Sequence, residues 1–451
     1  MQAKLTPTVH SYQTHFRSGF LLAFPVMISM LGQVMTGVAD SVMIGWTGAT
    51  PLAAASLANS FFGVLLFFGI GVSYAITPLV AEADGANDSQ RVIDTMRHGL
   101  VINLTTGLLL TMLVVFGQQV LHRIGQPTEV VELAIPYLLI ITYSIIPTMV
   151  FQTFRQFAEG MQHTRMAMVV MIACNFLNIY LNYVLIYGIG IFPEMGMNGA
   201  GWATFISRVA MAVWMALYVY RAKRFANYRA GFSFKNYSKA LFNKMLHIGL
   251  PTGAQFIFEA AAFGFSAIMM GWIGTAPLAA HQIAINLATI SYMTTSGLGA
   301  AATIRVGIFY GQRDRENIRR AGFTLIGLGL FIMLLWAILF VVGKHFLPSL
   351  YIDDSLVLKT VMPLMIIAAF FQLSDGTQVV CAGALRGLQD VKIPSLLIFV
   401  AYWVIALPIG YTLAFKFGYG AEGIWYGLLI GLTLTASAMV WRFNWLSKKL
   451  G

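Results

Sequence analysis

Three acidic residues stand out because each lies inside a long apolar stretch of the chain. Asp40 lies in VMTGVADSVMIG, Glu259 in AQFIFEAAAFGF and Asp375 in FFQLSDGTQVV. An ionisable side chain in the middle of a bilayer costs roughly 2.5–3.5 kcal/mol even on the gentlest scale, so such residues are functional by default. Arg208 is the one basic residue in the middle of an apolar stretch, and it can neutralise one of the acids but not all of them. The pattern therefore favours carboxylates that bind cations.

Each acid has polar neighbours at helical spacing. Residues three, four or seven positions apart share one face of a helix, and in a membrane a polar face points at a water-filled cavity or at another helix. Carboxylates on such faces can bind Na⁺, a proton or an organic cation. Hydrogen bonding between helices is an equally open explanation for Asn182. The polar faces are Gln33 with Thr36 and Asp40, Asn175 with Asn178 and Asn182, Gln255 with Glu259, and Gln372 with Asp375 and Gln378.

The composition is that of a membrane protein. Of the 451 residues, 58% are hydrophobic and 10% are charged, and the mean hydropathy is +0.75, whereas soluble proteins are about 45–50% apolar and about 25% charged. The net charge of +11 fits basic cytoplasmic loops better than nucleic-acid binding, which we do not expect. Cys174 and Cys381 lie far apart in apolar runs, so neither a disulfide nor a metal site is predicted. No cleavable signal peptide is expected, because the N-terminal segment is polar.

The apolar runs predict an all-α membrane protein with twelve transmembrane helices, because a spanning helix needs about 20 apolar residues. With the N-terminus inside, Lys and Arg concentrate in the inner segments, and the outer loops carry only Arg123, Lys344, Lys359 and Lys416. This bias predicts a multi-pass protein of the bacterial inner membrane with both termini in the cytoplasm. The predicted spans are 20–46, 56–81, 97–120, 132–154, 166–190, 198–220, 247–273, 279–308, 319–343, 357–384, 393–415 and 420–443.

The two halves of the chain repeat each other at a shift of 226 residues. This register places Pro25 on Pro251 and Asp88 on Asp314, and it holds for about sixty residues. Because each half has an even number of spans, we expect two six-helix lobes related by a parallel pseudo-two-fold repeat, with substrate sites between them. The predicted division is an N-lobe at 1–220, a basic linker at 221–246 and a C-lobe at 247–451. The linker is expected on the cytoplasmic side, attracted to anionic lipid headgroups.

The acids do not obey this internal symmetry. Glu259 corresponds to Gln33, and Asp40 corresponds to Ser266. An acid that the repeat needed for folding should appear in both halves. The asymmetry therefore suggests that each half has acquired a task of its own.

Four segments carry a resemblance to a known family. They are GVADSVMIG around Asp40, QFIFEAAAF around Glu259, AAHQIAINLATISY in the eighth span and QLSDGTQVVCAGALRG around Asp375. With the twelve spans and two lobes they cover essentially the whole chain, which resembles the multidrug and toxic compound extrusion (MATE) family, in particular its NorM branch. The resemblance implies a cation-coupled antiporter, not an enzyme, that exports cationic amphipathic drugs by alternating access. It implies no cofactor beyond a coupling ion, Na⁺ or H⁺ with Na⁺ favoured, and we expect a monomer in contact with membrane lipids.

The resemblance also implies roles for three groups of residues. The first group binds the coupling cation, with Glu259 and Asp375 as the Na⁺ ligands. The second forms a further polar site in the N-lobe, and the third contacts the drug. The groups are, in that order, Glu259, Asp375 and Tyr292; Asp40, Asn175 and Asn178; and Gln282, Asp353 and Asp354. A solvated pair of surface charges explains Asp353 and Asp354 equally well.

Two other classes of function are the alternatives. A flippase for lipid-linked oligosaccharides would carry an anionic pyrophosphate and would need Arg or Lys in its cavity, whereas this chain offers acids and asparagines. An intramembrane enzyme would need a nucleophile–base pair or a histidine metal site, and the 8 histidines are scattered along the chain. Export of organic cations is therefore the favoured hypothesis.

Overall fold

The structure is a computed structural model, and it describes residues 11–123, 125–232 and 236–450. The first ten residues of the predicted N-lobe and residues 233–235 of the predicted linker lie outside this range. The described residues are almost entirely helical, and no strand occurs among them. Within these described residues, eleven segments are long and apolar enough to cross a membrane. A further helix of 37 residues, Thr275–Gly311, completes the predicted twelve-helix fold.

The helices follow one another through short connections, and spans 2, 3, 4 and 11 are each built from more than one helical piece. Short 3₁₀ helices cover Gln118–Arg123 and Lys223–Phe232, and π-helical segments cover Val400–Ala406 and Thr412–Lys416. The α-helices are α1 (Tyr12–Gly45), α2 (Ala49–Ser73), α3 (Ile76–Gly85), α4 (Ser89–Gly117), α5 (Thr128–Tyr143), α6 (Ile145–Gly160), α7 (Arg165–Tyr187), α8 (Gly196–Arg221), α9 (Lys239–Ile273), α10 (Thr275–Gly311), α11 (Arg315–Val342), α12 (Phe346–Ser349), α13 (Ser355–Gly387), α14 (Lys392–Phe399), α15 (Leu407–Tyr411) and α16 (Gly420–Lys449).

Most helices extend further than the apolar runs predicted. Helix α1 begins at Tyr12 rather than at 20, α9 begins at Lys239 rather than at 247, and α16 ends at Lys449 rather than at 443. Hydropathy detects only the part of a helix that crosses the hydrocarbon. The backbone hydrogen bonds continue into the polar residues on either side, so the helices are longer than the predicted spans.

The repeat is visible in the local structure of both halves. The turns from α1 to α2 and from α9 to α10 contain Gly48 and Gly274, with φ values of 135° and 158°. Side chains rarely permit this backbone region, so each turn needs glycine. Asp88 and Asp314 cap α4 and α11, and each accepts a hydrogen bond at 3.0 Å from the backbone N–H three residues later.

The ends of α3 and α10 cross in close contact at two glycines that the repeat also pairs. A Cβ on Gly85 would lie 2.1 Å from the carbonyl oxygen of Ile308, and a Cβ on Gly311 would lie 2.0 Å from that of Glu82. Glu82 and Ile308 are themselves related by the 226-residue shift, so the contact is reciprocal. Only glycine permits helix backbones to approach this closely.

By their internal contacts the residues form two compact units. Unit 1 consists of Met1–Met27, Ala81–Asn87 and Ala254–Gly451, and unit 2 of Ile28–Val80 and Asp88–Gly253. Each unit has its own apolar core. The cores contain Phe340, Trp425 and Phe443 in unit 1, and Ile44, Tyr137 and Ile145 in unit 2. The lobe boundaries derived from the sequence stay a prediction.

Candidate cation-binding sites

In unit 2, Asp40 is buried and both of its carboxylate oxygens accept hydrogen bonds. The Asn182 amide donates to Oδ1 at 2.6 Å, and the Thr204 hydroxyl donates to Oδ2 at 3.2 Å. The Asn178 amide donates to the Thr204 hydroxyl at 3.4 Å, and its side-chain oxygen accepts from Asn182 at 3.3 Å. Donors from α7 and α8 therefore already satisfy this carboxylate.

Asn175 lies in a separate hydrogen-bonded group on the same helix. Its amide donates to the carbonyl oxygen of Gly32 at 2.8 Å, and Thr36 donates to its side-chain oxygen at 2.6 Å. Gly32 lies about 12 Å before Asp40 along α1, given a rise of 1.5 Å per residue. The resemblance placed Asn175 beside Asp40, whereas the hydrogen bonds to Asp40 come from Asn182 and Thr204.

Two further residues accompany Asp40. Arg208 donates to the Ser144 hydroxyl at 2.7 Å, and its guanidinium lies 4.9 Å from the centre of the Phe62 ring. Its charge acts on Asp40, although the two form no ion pair in the described structure. Tyr137, which is 1% exposed, also lies within the electrostatic reach of Asp40. Arg208, the basic residue in the middle of an apolar stretch, therefore lies within electrostatic reach of Asp40, the acid of unit 2.

In unit 1, Glu259 and Asp375 are close enough for their charges to interact. Gln255 and Gln378 each donate from Nε2 to the same oxygen of Glu259, Oε1, at 3.2 Å. No described residue donates to Glu259 Oε2 or to either oxygen of Asp375, and no described Lys or Arg forms an ion pair with these acids. Arg386 acts on Glu259 only at longer range. This acid pair therefore retains unused capacity to bind a cation.

Two amides on α13 also have unused hydrogen-bonding atoms. Gln372 is 0% exposed, and neither its oxygen nor its nitrogen has a partner among the described residues; the same holds for Oε1 of Gln378. Buried amide atoms are almost always paired with protein or with water. Both residues share a helical face with Asp375, so these atoms add to the polar groups available beside the acid pair.

Tyr402 is a member of this site that the sequence did not reveal. It lies in the π-helical segment Val400–Ala406, is 1% exposed, and lies within electrostatic reach of both Glu259 and Asp375. Its ring packs edge-on against Phe263, with the ring centres 5.7 Å apart. No polar residue lies three or four positions from Tyr402, so the pattern that marked the acids did not mark this tyrosine. Thr204 could have been found, because it lies one helical turn before Arg208.

Tyr292 and Gln282 both lie on α10 but at different depths. Tyr292 lies within electrostatic reach of Tyr402, which is itself within reach of the acid pair. Gln282 is exposed and precedes Tyr292 by ten residues, or about 15 Å along the helix. The structure therefore brings Tyr292 to the acid site and leaves Gln282 about three turns away.

Of the two acids that precede α13, Asp354 has a structural role. Its carboxylate accepts hydrogen bonds from the backbone N–H groups two and three residues later, at 2.7 and 3.2 Å, and so caps the helix. Asp353 is exposed. Asp354 precedes Asp375 by about 30 Å along α13. A drug contact at this pair would therefore lie far from the acid site.

The twelve-helix fold and the buried carboxylates that line its polar helix faces define the class of this protein, a multi-pass membrane transporter. The model of the MatE family matches residues 25–184 and again residues 251–412, and the chain belongs to that family. The two matches begin 226 residues apart, which is the register of the internal repeat. Members of the family are membrane transporters and not enzymes.

Individual relatives agree with this assignment. A probable multidrug resistance protein NorM of Rhizobium meliloti (strain 1021) is 34% identical over 97% of this chain and 95% of its own. An outward-facing multidrug resistance MATE family transporter of the MOP superfamily has the same fold, with a TM-score of 0.89 at 20% identity over 97% of this chain and 96% of that one.

A third protein with the same fold is described in different terms. It is a MOP superfamily transporter from Pyrococcus furiosus, with a TM-score of 0.87 at 21% identity over 97% of this chain and 96% of its own. It is described as having a binding pocket of reverse polarity, which suggests a different function. The charges of each chain must therefore be considered along with its fold.

Proposed function

We propose that this protein is a cation-coupled multidrug antiporter that exports cationic amphipathic compounds by alternating access. The observation that carries the proposal is the acid pair in unit 1, in which Asp375 is buried, Glu259 is half-buried, and neither has an ion-pair partner among the described residues. A carboxylate without a countercharge is costly in an apolar interior, and a bound cation removes that cost. The multidrug resistance relatives support efflux as the direction of transport.

Coupling follows from competition for this negative charge. A coupling cation bound at Glu259 and Asp375 lowers the attraction of the site for a cationic drug, so the drug leaves toward the outside. Release of the coupling cation on the inside restores the charge and the affinity for the next drug molecule. Each ligand then weakens the other by the same factor, as linkage requires, and no separate signalling path is needed.

We propose Na⁺ as the coupling ion, with H⁺ as the alternative. In the described chain no three His, Cys, Asp or Glu side chains meet as a metal site, so the two acids supply only part of a shell. Hard cations take carbonyl, hydroxyl and water oxygens as well as carboxylates. The unpaired Oε1 atom of Gln372 and the hydroxyl group of Tyr292 are candidates for the rest.

The deciding experiment is ethidium transport in proteoliposomes under one imposed gradient at a time. A Na⁺ gradient at constant pH and a pH gradient without Na⁺ separate the two coupling ions. Glu259→Gln and Asp375→Asn are each expected to lower the gradient-driven rate at least about tenfold, because each removes charge on which the coupling depends. If either variant transports at the wild-type rate under the effective gradient, the assignment of the acid pair is wrong.

A matched control separates this effect from a general loss of charge. Glu132→Gln changes an exposed carboxylate on α5 and should leave the rate unaltered. The flippase alternative predicts that no gradient drives ethidium transport, while a pyrophosphate-linked lipid crosses the bilayer.

We also propose that both termini lie in the cytoplasm, because of the positive-inside bias. Labelling cysteines introduced at each end with a membrane-impermeant reagent tests this orientation.

A further inference from the structure

Span 11 is not a regular helix where it passes the acid pair. The segment Val400–Ala406 is π-helical. A π turn accommodates one extra residue, is rare, and occurs frequently at functional sites. The indole N–H of Trp403 donates to the carbonyl oxygen of Phe258 at 3.1 Å, and Phe258 is the residue before Glu259. The irregular turn is thereby fixed onto α9 next to the acid.

The residue that this turn presents to the acid site is Tyr402. It interacts with the side chain of Gln378 as well as with the two acids. Gln378 has one end engaged, because its Nε2 donates to Glu259 Oε1 at 3.2 Å. Its other end, Oε1, has no hydrogen-bond partner among the described residues. A phenolic hydroxyl is a donor, which is what a side-chain amide oxygen requires.

We propose that Tyr402 is a positioning residue of the cation site, whose hydroxyl donates to Gln378 Oε1 when the cation is bound. An amide engaged at both ends cannot rotate, so its N–H stays on Glu259 Oε1 and leaves Oε2 directed at the cation. Tyr402 then acts through Gln378 rather than as a ligand. This inference rests on the proposed function, since it needs Glu259 to bind the coupling cation.

The direct test is Tyr402→Phe in ethidium-transporting proteoliposomes, with the effective coupling ion, Na⁺ at fixed pH or protons without Na⁺, titrated against the initial rate. The variant keeps the ring that packs on Phe263 and loses only the hydroxyl. The cation concentration for half-maximal transport should rise about three- to tenfold, as expected for one lost hydrogen bond, with the maximal rate within about twofold. Tyr411→Phe is the control, because Tyr411 lies on the same span and is 44% exposed.

A double-mutant cycle tests the route through Gln378. If Tyr402 acts by holding that amide, Tyr402→Phe adds nothing to the defect of Gln378→Leu. The positioning role is contradicted if the two single variants each raise the cation concentration for half-maximal transport and the double variant shows the product of the two increases. It is also contradicted if Tyr402→Phe leaves that concentration unchanged. Trp403→Phe, which removes the indole donor to Phe258, should shift the same concentration in the same direction by a smaller factor.

Two further measurements distinguish a failure of the role of Tyr402 from a failure of the proposed function. Carbodiimide labelling of Glu259 in detergent, with and without Na⁺, reports occupancy without transport; Tyr402→Phe should need more Na⁺ for the same protection. If Glu259→Gln retains cation-driven transport, the proposed function fails. If Glu259→Gln loses it while Tyr402→Phe behaves as wild type in both assays, only the role of Tyr402 fails.

Discussion

The two buried acid clusters of this protein differ in how far the protein itself satisfies them. Asp40 in unit 2 accepts hydrogen bonds at both oxygens from Asn182 and Thr204, and Arg208 lies within electrostatic reach. In unit 1, Asp375 accepts no hydrogen bond from a described residue, and Glu259 accepts two at a single oxygen. The protein therefore satisfies the hydrogen-bonding capacity of Asp40 but leaves part of that capacity unused at Glu259 and Asp375.

This difference distinguishes a carboxylate that the protein itself stabilises from a carboxylate that a bound cation can stabilise. A buried carboxylate that keeps its hydrogen bonds is stable as it stands, whereas one without them bears the full cost of desolvation. An incoming cation gains more at the second kind of site, because it offsets a cost already present in the fold. We therefore expect the acids of the two units to respond in opposite ways to neutral substitution.

The largest expected effect is a difference in sign between Asp40→Asn and Asp375→Asn. At position 40 an amide directs N–H toward a donor, so the variant should lose roughly 1–3 kcal/mol of stability. At position 375 the amide removes an unpaired charge and its repulsion with Glu259, so the melting temperature should rise at pH 7.5. Thermal unfolding in detergent measures both variants. If the melting temperatures of both variants shift in the same direction, the proposed difference between the two acid sites is wrong.

The gain at Asp375 should also depend on pH. Acidification protonates the wild-type carboxyl and removes the charge that Asp375→Asn removes by substitution. The stability advantage of the variant should therefore shrink as the pH is lowered from 7.5 to about 3, a range that brackets the ordinary Asp pKa of about 3.9. Melting curves across this range provide the measurement. A constant advantage at every pH would point to packing rather than charge.

The next effect compares two asparagines on α7. Asn182→Ala removes the donor to Asp40 Oδ1 and should cost about 1–3 kcal/mol, because a buried acceptor loses its partner. Asn175→Ala removes hydrogen bonds to Thr36 and to the Gly32 carbonyl and should cost only about 0.5–1.5 kcal/mol. Both are measured by thermal unfolding. An equal or larger cost at Asn175 would show that the hydrogen bonds around Asp40 are not the dominant ones.

A smaller effect is expected at Thr204. Thr204→Val keeps the shape and loses the hydroxyl that donates to Asp40 Oδ2, at a cost of about 1 kcal/mol. Thr204→Ser retains the donor and serves as the matched control, so it should lose less stability than the valine variant. The reverse order would indicate that the methyl group of Thr204, and not its hydroxyl, supports the cluster.

The smallest effect tests the paired acids before α13. Asp354→Ala removes an exposed helix cap and should cost only about 0.5 kcal/mol of stability, the low end for such caps, whereas Asp354→Asn keeps the cap and should cost little. Neither variant should change the ethidium concentration for half-maximal transport if the pair is structural and solvated. A shift of that concentration in Asp354→Asn, without loss of stability, would instead support the drug-binding role.

The resemblance and the geometry agree on some residues and diverge on others. The spacing of polar residues marked Glu259 with Gln255, and Asp375 with Gln378, because a single helix face carries each pair. It could not distinguish Asn175 from Asn182, since both lie on one stripe and only the position of α1 decides which contacts Asp40. Tyr402 escaped notice because the π turn that directs it has no polar periodicity.

The sequence by itself determined the class and the number of spans, because hydrocarbon thickness converts length and hydropathy directly into membrane helices. It also determined the repeat, since turn glycines and helix caps act locally and recur at one shift. Only the tertiary structure decided which carboxylate is satisfied and which is not. That distinction depends on donors from other helices, and distances between helices are not encoded in the spacing along any one of them.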